Sequence, residues 1–326
     1  MDTFQYKKLT ALLNKCNGAN IQWDKPTPSW EKAYVSSLMA EAAYLHIPLF
    51  EVSTSNRLNI VPCRAYWEII NSCWYGNQIK GYTFYDEGGE GGEGGVEGIR
   101  VSVVAGELIM ALIVITEHVI FIALRGTEIT YRNHFIQDWQ TNLQTKQIRY
   151  CYNDAACFHK GFYEAVASIY DEILTIVSRE KTRPIYITGH SLGGAMAAIL
   201  NARWHQEYEI HQFIHTKLRL FDKLPTSCYV FGMPRYGNIG AVHNLKFPYH
   251  IYRELDGIPT VPSTERYYAD INDETLEKCL SNMNSLPLPQ HQKGNFEIFN
   301  QPISYFFDSH SPHSMWRYIS DLQTLS

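Results

Sequence analysis

The chain has 326 residues, of which 45% are hydrophobic and 13% aromatic, and it carries a formal net charge of -5. That length and composition suit one large α/β domain, or such a domain with an N-terminal extension, around a sizeable core. The acidic balance and the lack of a basic cluster argue against nucleic-acid binding, and charge alone would not draw the chain to an anionic membrane.

Residues 1–20 carry Lys7, Lys8 and Lys15 but no continuous apolar stretch, so no cleavable leader is expected. Trp30, Tyr34, Leu38 and Ala42 then recur at helical spacing, and a second aromatic segment holds Tyr66, Trp67, Ile69, Ile70, Cys73 and Trp74. Residues 1–95 are expected to form a helical, aromatic-rich extension or cap packed on the main domain. A lipid-facing surface there is the alternative. The extension ends in a Gly/Glu-rich run, residues 87–95, that predicts an exposed loop and lacks the strand–loop–helix setting of a phosphate-binding turn.

From residue 96 the pattern changes. Residues 108–116 and 119–124 predict two strands flanking a turn at Glu117-His118. The longest apolar run, 108–115, is too short to cross a bilayer. Phe162, Val166, Ile169, Ile173 and Ile176 step by three and four, which predicts an amphipathic helix over 162–177. Strand 185–188, helix 192–210, strands 227–231 and 249–254, a late strand 296–299 and a last helix near His313 follow. Alternating strands and helices imply a mostly parallel sheet covered on both faces. The expected division is 1–95 and 96–326.

Gly189-His190-Ser191-Leu192-Gly193 sits between the strand and the helix of 185–210. A G-x-S-x-G turn in this setting lifts a serine hydroxyl out of the sheet at a helix N-terminus, where partial positive charge favours a developing oxyanion. Serine is a poor nucleophile unless a base lies within hydrogen-bond reach and a carboxylate orients that base. In the α/β-hydrolase arrangement the acid and then the histidine follow the serine in the chain. Asp256, just past strand 249–254 and followed by Gly257-Ile258-Pro259, is the preferred acid over Asp222, Asp270 and Asp273. His313 is the preferred base over His310 and His291. His190 is expected to pack against or shape the site. The oxyanion donors are expected to be the Leu192 amide and, where the strand ending at Leu124 gives way to a loop, the amide and hydroxyl of Thr127.

Several ordered blocks carry a resemblance. They are Ala123-Leu124-Arg125-Gly126-Thr127, Asp138-Trp139-Gln140-Thr141-Asn142-Leu143, His159-Lys160-Gly161-Phe162, Ile187 through Ala195 around the elbow, Phe231 through Asn238, Asp256-Gly257-Ile258-Pro259, and His313 with Tyr318. In this order they resemble the class 3, fungal-type lipases of the α/β-hydrolase superfamily, over about residues 100–322. The resemblance implies an α/β-hydrolase fold, with Ser191, Asp256 and His313 as triad and Thr127 and Leu192 as oxyanion hole. Gly257 stands where the family pattern usually has proline, and residues 1–95 match nothing in it. The family usually carries a lid after the oxyanion residue. Ile129, Tyr131, Phe135, Ile136 and Trp139 are placed to form one, with an ordinary packed helix as the alternative.

The expected activity is serine-dependent hydrolysis of lipid acyl esters, of acylglycerol lipase or phospholipase A/lysophospholipase type. The alternatives are a soluble esterase for small esters and a lipase-like scaffold without turnover. The mechanism needs no metal and no organic cofactor. His205, His211 and His215 are expected at the surface, without a carboxylate or cysteine pattern to complete a metal site. The expected partners are a lipid or ester substrate and a transient lipid interface. The oligomeric state is not legible. The seven cysteines (Cys16, Cys63, Cys73, Cys151, Cys157, Cys228 and Cys279) fit no zinc spacing and are expected as free thiols in a reducing compartment. A cytoplasmic location is therefore expected, with export by a leader-independent route left open.

Overall fold

The computed structural model describes residues 21–44, 50–52, 58–60, 82–84, 100–106, 109–126, 146–213, 223–253, 256–262, 268–269 and 311–326. In chain order these form helix α1 (Trp30–Ala42), strands β1 (Phe50–Val52), β2 (Leu58–Ile60), β3 (Tyr82–Phe84), β4 (Arg100–Ala105), β5 (Met110–Ile115), β6 (Ile120–Leu124), β7 (Gln147–Tyr150) and β8 (Asn153–His159), and helix α2 (Lys160–Val177). Strand β9 (Ile185–His190), helix α3 (Leu192–Phe213), strand β10 (Ser227–Phe231), helix α4 (Ile239–His243), strand β11 (Tyr249–Ile251) and helix α5 (Met315–Leu325) complete it.

The main sheet runs β11-β10-β9-β6-β5-β4-β3. Strands β6, β9, β10 and β11 are parallel to one another, and β5, β4 and β3 extend that block as an antiparallel meander. This is the α/β-hydrolase architecture, with helices on both faces. The strands β5, β6, β9 and β10 are buried throughout because each face of the sheet carries its own helical layer.

The pleat sends alternate residues to opposite cores. Ile113, Ile122, Ile187 and Val230 pack with α2 and α3, while Leu112, Phe121, Tyr186 and Tyr229 pack with α1 and α5. Helix α2 contributes Phe162, Val166, Ile169 and Ile173, each buried, and burial of such side chains stabilises by about 1.5–3 kcal/mol apiece. It starts at Lys160, ahead of the first apolar step, because the His159 ring accepts from the Phe162 amide at 3.4 Å.

The N-terminal segment differs from the helical expectation in part. Helix α1 is present, capped by Ser29, whose side chain accepts from the Lys32 amide, and it lies in the layer shared with α5. However, three short strands fall within residues 50–84, and one of them, β3, adds to the edge of the main sheet. Trp23 joins the same layer, edge-on to Phe121 and Tyr186 at ring-centroid distances of 5.3 and 5.0 Å. His205 and His211 are partly exposed along α3. Among the described residues no helix is long and apolar enough to cross a membrane, and Cys151, Cys157 and Cys228 are unpaired thiols.

Candidate active site

Strand β9 ends at His190 and α3 begins at Leu192, so Ser191 is the whole of the turn between them. Its φ is 56°, the one left-handed backbone among the described non-glycine residues. That conformation costs about 1–2 kcal/mol for an L-residue with a side chain. Two bonds hold it: the Ser191 amide donates to Phe231 O at 2.9 Å, and the Gly194 amide donates to Ser191 O at 2.9 Å. The flanking glycines answer to close backbone approach. A Cβ on Gly189 would strike the Gly193 carbonyl, and one on Gly193 would strike the carbonyl of Leu124 in β6.

Asp256 lies just beyond β11, where the chain bends into a 3₁₀ turn over Ile258–Thr260. His313 lies in the turn before α5, its amide donating to Ser311 Oγ at 3.2 Å. These three residues are 122 and 57 positions apart in the chain, yet the fold brings them into one line. His313 Nε2 is 2.8 Å from Ser191 Oγ, and His313 Nδ1 is 2.8 Å from Asp256 Oδ2. Histidine and aspartate are buried at 3% and 4% exposure, while Ser191 is only partly covered.

The carboxylate is fully engaged. Oδ2 also accepts from the Tyr318 hydroxyl at 2.5 Å, and Oδ1 accepts from the Ile258 amide at 3.0 Å. Burial alone would raise the Asp256 pKa, but the charge and hydrogen bond of His313, with the donors Tyr318 and Ile258, hold it below the ordinary value. Burial and that same carboxylate push the Tyr318 phenol well up, so it stays a donor. Because a carboxylate only accepts, His313 Nδ1 carries the proton and Nε2 faces the serine as an acceptor.

Leu192 opens α3, and a first-turn amide has no partner within its own helix. Thr127, the other expected oxyanion donor, lies outside the described residues, as do the lid segment 129–143, the loop 87–95, the late strand 296–299, His215, and the rivals His310, His291, Asp222 and Asp270 and Asp273. Among the described residues no group of three or more His, Cys, Asp or Glu side chains is placed to hold a metal ion.

Two contributors were not legible as such. Gly232, φ 52°, sits where a Cβ would press on Asp256 Oδ2, the Tyr318 hydroxyl and His313 Nδ1 together. Its signal was its place at the end of β10, beside the elbow's strand. Tyr318 was visible only as a matched position in the last helix, without a role. His190, expected to shape the site, places its ring 4.6 Å from that of His313 and its Nε2 2.8 Å from the His313 carbonyl oxygen.

The sheet order and the elbow define the α/β-hydrolase fold, and Ser191, His313 and Asp256 stand in one hydrogen-bonded line within it. Residues 121–266 match the family described as Lipase (class 3). His313 lies outside that span and reaches the site through the fold.

Among similar proteins, a lipase of Rhizomucor miehei is 26% identical over 185 residues, covering 52% of this chain and 47% of its own length. The secreted mono- and diacylglycerol lipase 1 of Fusarium solani is 33% identical over 108 residues, 32% of this chain and 28% of its own. The solved structure of lipase II from Rhizopus niveus aligns at a TM-score of 0.41 and 19% identity, covering 73% of this chain and 75% of that one. The chain spans about half or less of the length of the curated relatives it matches.

Proposed function

We propose that this protein hydrolyses the carboxylic esters of acylglycerols through an acyl-enzyme on Ser191. One observation carries the reading: a single imidazole, His313, stands 2.8 Å from the serine hydroxyl on one side and 2.8 Å from a buried carboxylate on the other. His313 Nε2 takes the Ser191 proton as Oγ attacks the acyl carbonyl carbon. Asp256 stabilises the imidazolium that results and does not itself take up the proton. The Leu192 amide and Thr127 receive the negative oxygen, each well-placed donor contributing about 3–4 kcal/mol to the transition state. The imidazolium returns its proton to the leaving glycerol oxygen as that bond breaks. A water molecule, deprotonated by His313, then attacks the acyl-enzyme, and the fatty acid leaves with Ser191 restored.

The acylglycerol substrate rests on the family match and on relatives named as lipases, one of them for mono- and diacylglycerols. The test is fatty-acid release from a mixed acylglycerol and phospholipid emulsion, with the products identified by mass spectrometry. Acylglycerols consumed ahead of phospholipids support the reading, provided Ser191→Ala lowers release by at least about a thousandfold with the fold intact. Phospholipids consumed first would move the assignment to the phospholipase type. Equal rates below and above the solubility limit of tributyrin would favour a soluble esterase.

A further inference from the structure

We propose that Tyr44 and His190 are positioning residues that set the base against the nucleophile, so that the N-terminal segment completes the active site. The proposal rests on the functional reading above but stands on different contacts. His190 Nε2 lies 2.8 Å from the carbonyl oxygen of His313. A carbonyl only accepts, so Nε2 carries the hydrogen. Burial, and then the nearby His313, hold the His190 pKa down to about 3, so the ring is neutral and its Nδ1 is bare. The Tyr44 hydroxyl lies 3.1 Å from that Nδ1 and 3.4 Å from the His190 carbonyl oxygen, and it donates to the nearer Nδ1. The same phenol packs against Gly126, where an added Cβ would collide with the Tyr44 oxygen.

Three parts of the site therefore meet at one phenol. His190 is the residue before Ser191, so its bond to the His313 carbonyl ties the strand that carries the nucleophile to the turn that carries the base. This tie is independent of Asp256, which holds the other end of the same imidazole. Gly126 is the residue before Thr127, so the phenol also packs against the chain from which the second oxyanion donor is expected. Tyr44 itself follows α1 and lies outside the span 121–266 that matches the family. Without its hydroxyl, the bare Nδ1 of the buried His190 ring loses its donor, and the ring is held at one end only. A shift of about 1 Å between reacting groups is enough to lower a rate by about a hundredfold.

The test compares the full-length protein with Tyr44→Phe, His190→Leu and His190→Gln, using p-nitrophenyl butyrate as a soluble ester. Tyr186→Phe is the control, since the Tyr186 hydroxyl donates to Trp23 O at 3.0 Å and so ties the same segment to the sheet away from the site. Tyr44→Phe should lower kcat about tenfold and His190→Leu about a hundredfold, with KM within about twofold of wild type. His190→Gln, whose amide N–H can replace Nε2–H, should recover to within about fivefold. Tyr186→Phe should lower the Tm and leave kcat unchanged.

Turnover of Tyr44→Phe and His190→Leu within about twofold of wild type would overturn the proposal, as would a loss that Tyr186→Phe reproduces. Amide hydrogen exchange over residues 311–314 gives a readout that needs no activity. Faster exchange in Tyr44→Phe and His190→Leu supports the tie, and unchanged exchange overturns it. A wild-type protein with no esterase activity would sink the hydrolase reading while leaving this exchange result to decide the tie.

Discussion

Replacing Asp256 by asparagine keeps the shape of the site and changes its donors. Oδ2 accepts from His313 Nδ1 and from the Tyr318 hydroxyl, while Oδ1 accepts from the Ile258 amide. An amide has one accepting and one donating end, so no orientation fits. With its oxygen toward His313, its NH₂ meets the Ile258 N–H and leaves that buried donor unpaired, at about 1–3 kcal/mol. With its NH₂ toward His313, the imidazole must move its proton to Nε2, and the base then offers a donor to Ser191 where it has to accept. Either way the negative charge that would stabilise the imidazolium is gone. A triad of this kind loses about 10³–10⁴ in turnover when the carboxylate becomes an amide, about 4–5.5 kcal/mol of barrier.

Burst and steady-state kinetics on a soluble ester, with urea denaturation of the same samples, measure both quantities. Asp256→Asn should lose kcat by about that factor, keep KM within about threefold, and lose about 1–3 kcal/mol of stability. Acid titration adds a sign. The Asp256 pKa in the fold lies below 3.8, so its contribution to stability is complete above that value and is lost as pH falls through the folded value. The asparagine variant should lack this component. A folded Asp256→Asn with kcat within about tenfold of wild type would refute the reasoning, because the tautomer would then not depend on the carboxylate.

Three further outcomes follow from the same geometry. Ser191→Gly should abolish turnover and raise stability by about 1–2 kcal/mol, because glycine relieves a φ of 56°; Ser191→Ala should abolish turnover without that gain, and equal denaturation midpoints would contradict the strain. Gly232→Ala should lower kcat by about tenfold or more, since its methyl would push on Asp256, Tyr318 and His313; unchanged kinetics would show that the site yields without loss. Because His190 is held neutral to about pH 3 while its ordinary value is 6.5, the unfolded chain binds a proton there that the fold refuses. Stability should fall by about 1.4 kcal/mol per pH unit from pH 6.5 downward on this account, and His205, held down to about 4, acts with the same sign. Denaturation midpoints for wild type and His190→Gln between pH 7 and 4 should differ by about one proton in slope, and parallel curves would contradict the burial.

What the sequence disclosed depended on how local each signal was. The elbow was legible because the strand, the glycines and the helix all lie within residues 185–213, and the glycines report collisions inside the turn and with the neighbouring strand. The central strands were legible from their apolar runs, because both faces of the sheet are covered. Their ends were not. The strand expected to run to residue 254 stops at Ile251, and the Arg253 amide donates to the Tyr318 hydroxyl at 3.2 Å instead of continuing a ladder.

Residues whose roles arise across the fold were the hardest to read. Tyr44 meets His190 across 146 positions and Tyr318 meets Asp256 across 62, and no periodicity announces such pairs. The short strands within residues 50–84 are three residues each, too short for an alternation to show, and the aromatic segment of residues 66–74 lies outside the described residues.

The Ser191 hydroxyl, activated by His313, is expected to form a covalent acyl-enzyme. Rapid quenching after mixing with p-nitrophenyl butyrate, followed by intact-mass and peptide-mass analysis, reads that species directly. A butyryl adduct should appear on Ser191, with a matching burst of p-nitrophenol, and be absent from Ser191→Ala and His313→Ala. Turnover of the ester with no adduct on Ser191, or an adduct that persists in Ser191→Ala, would contradict it.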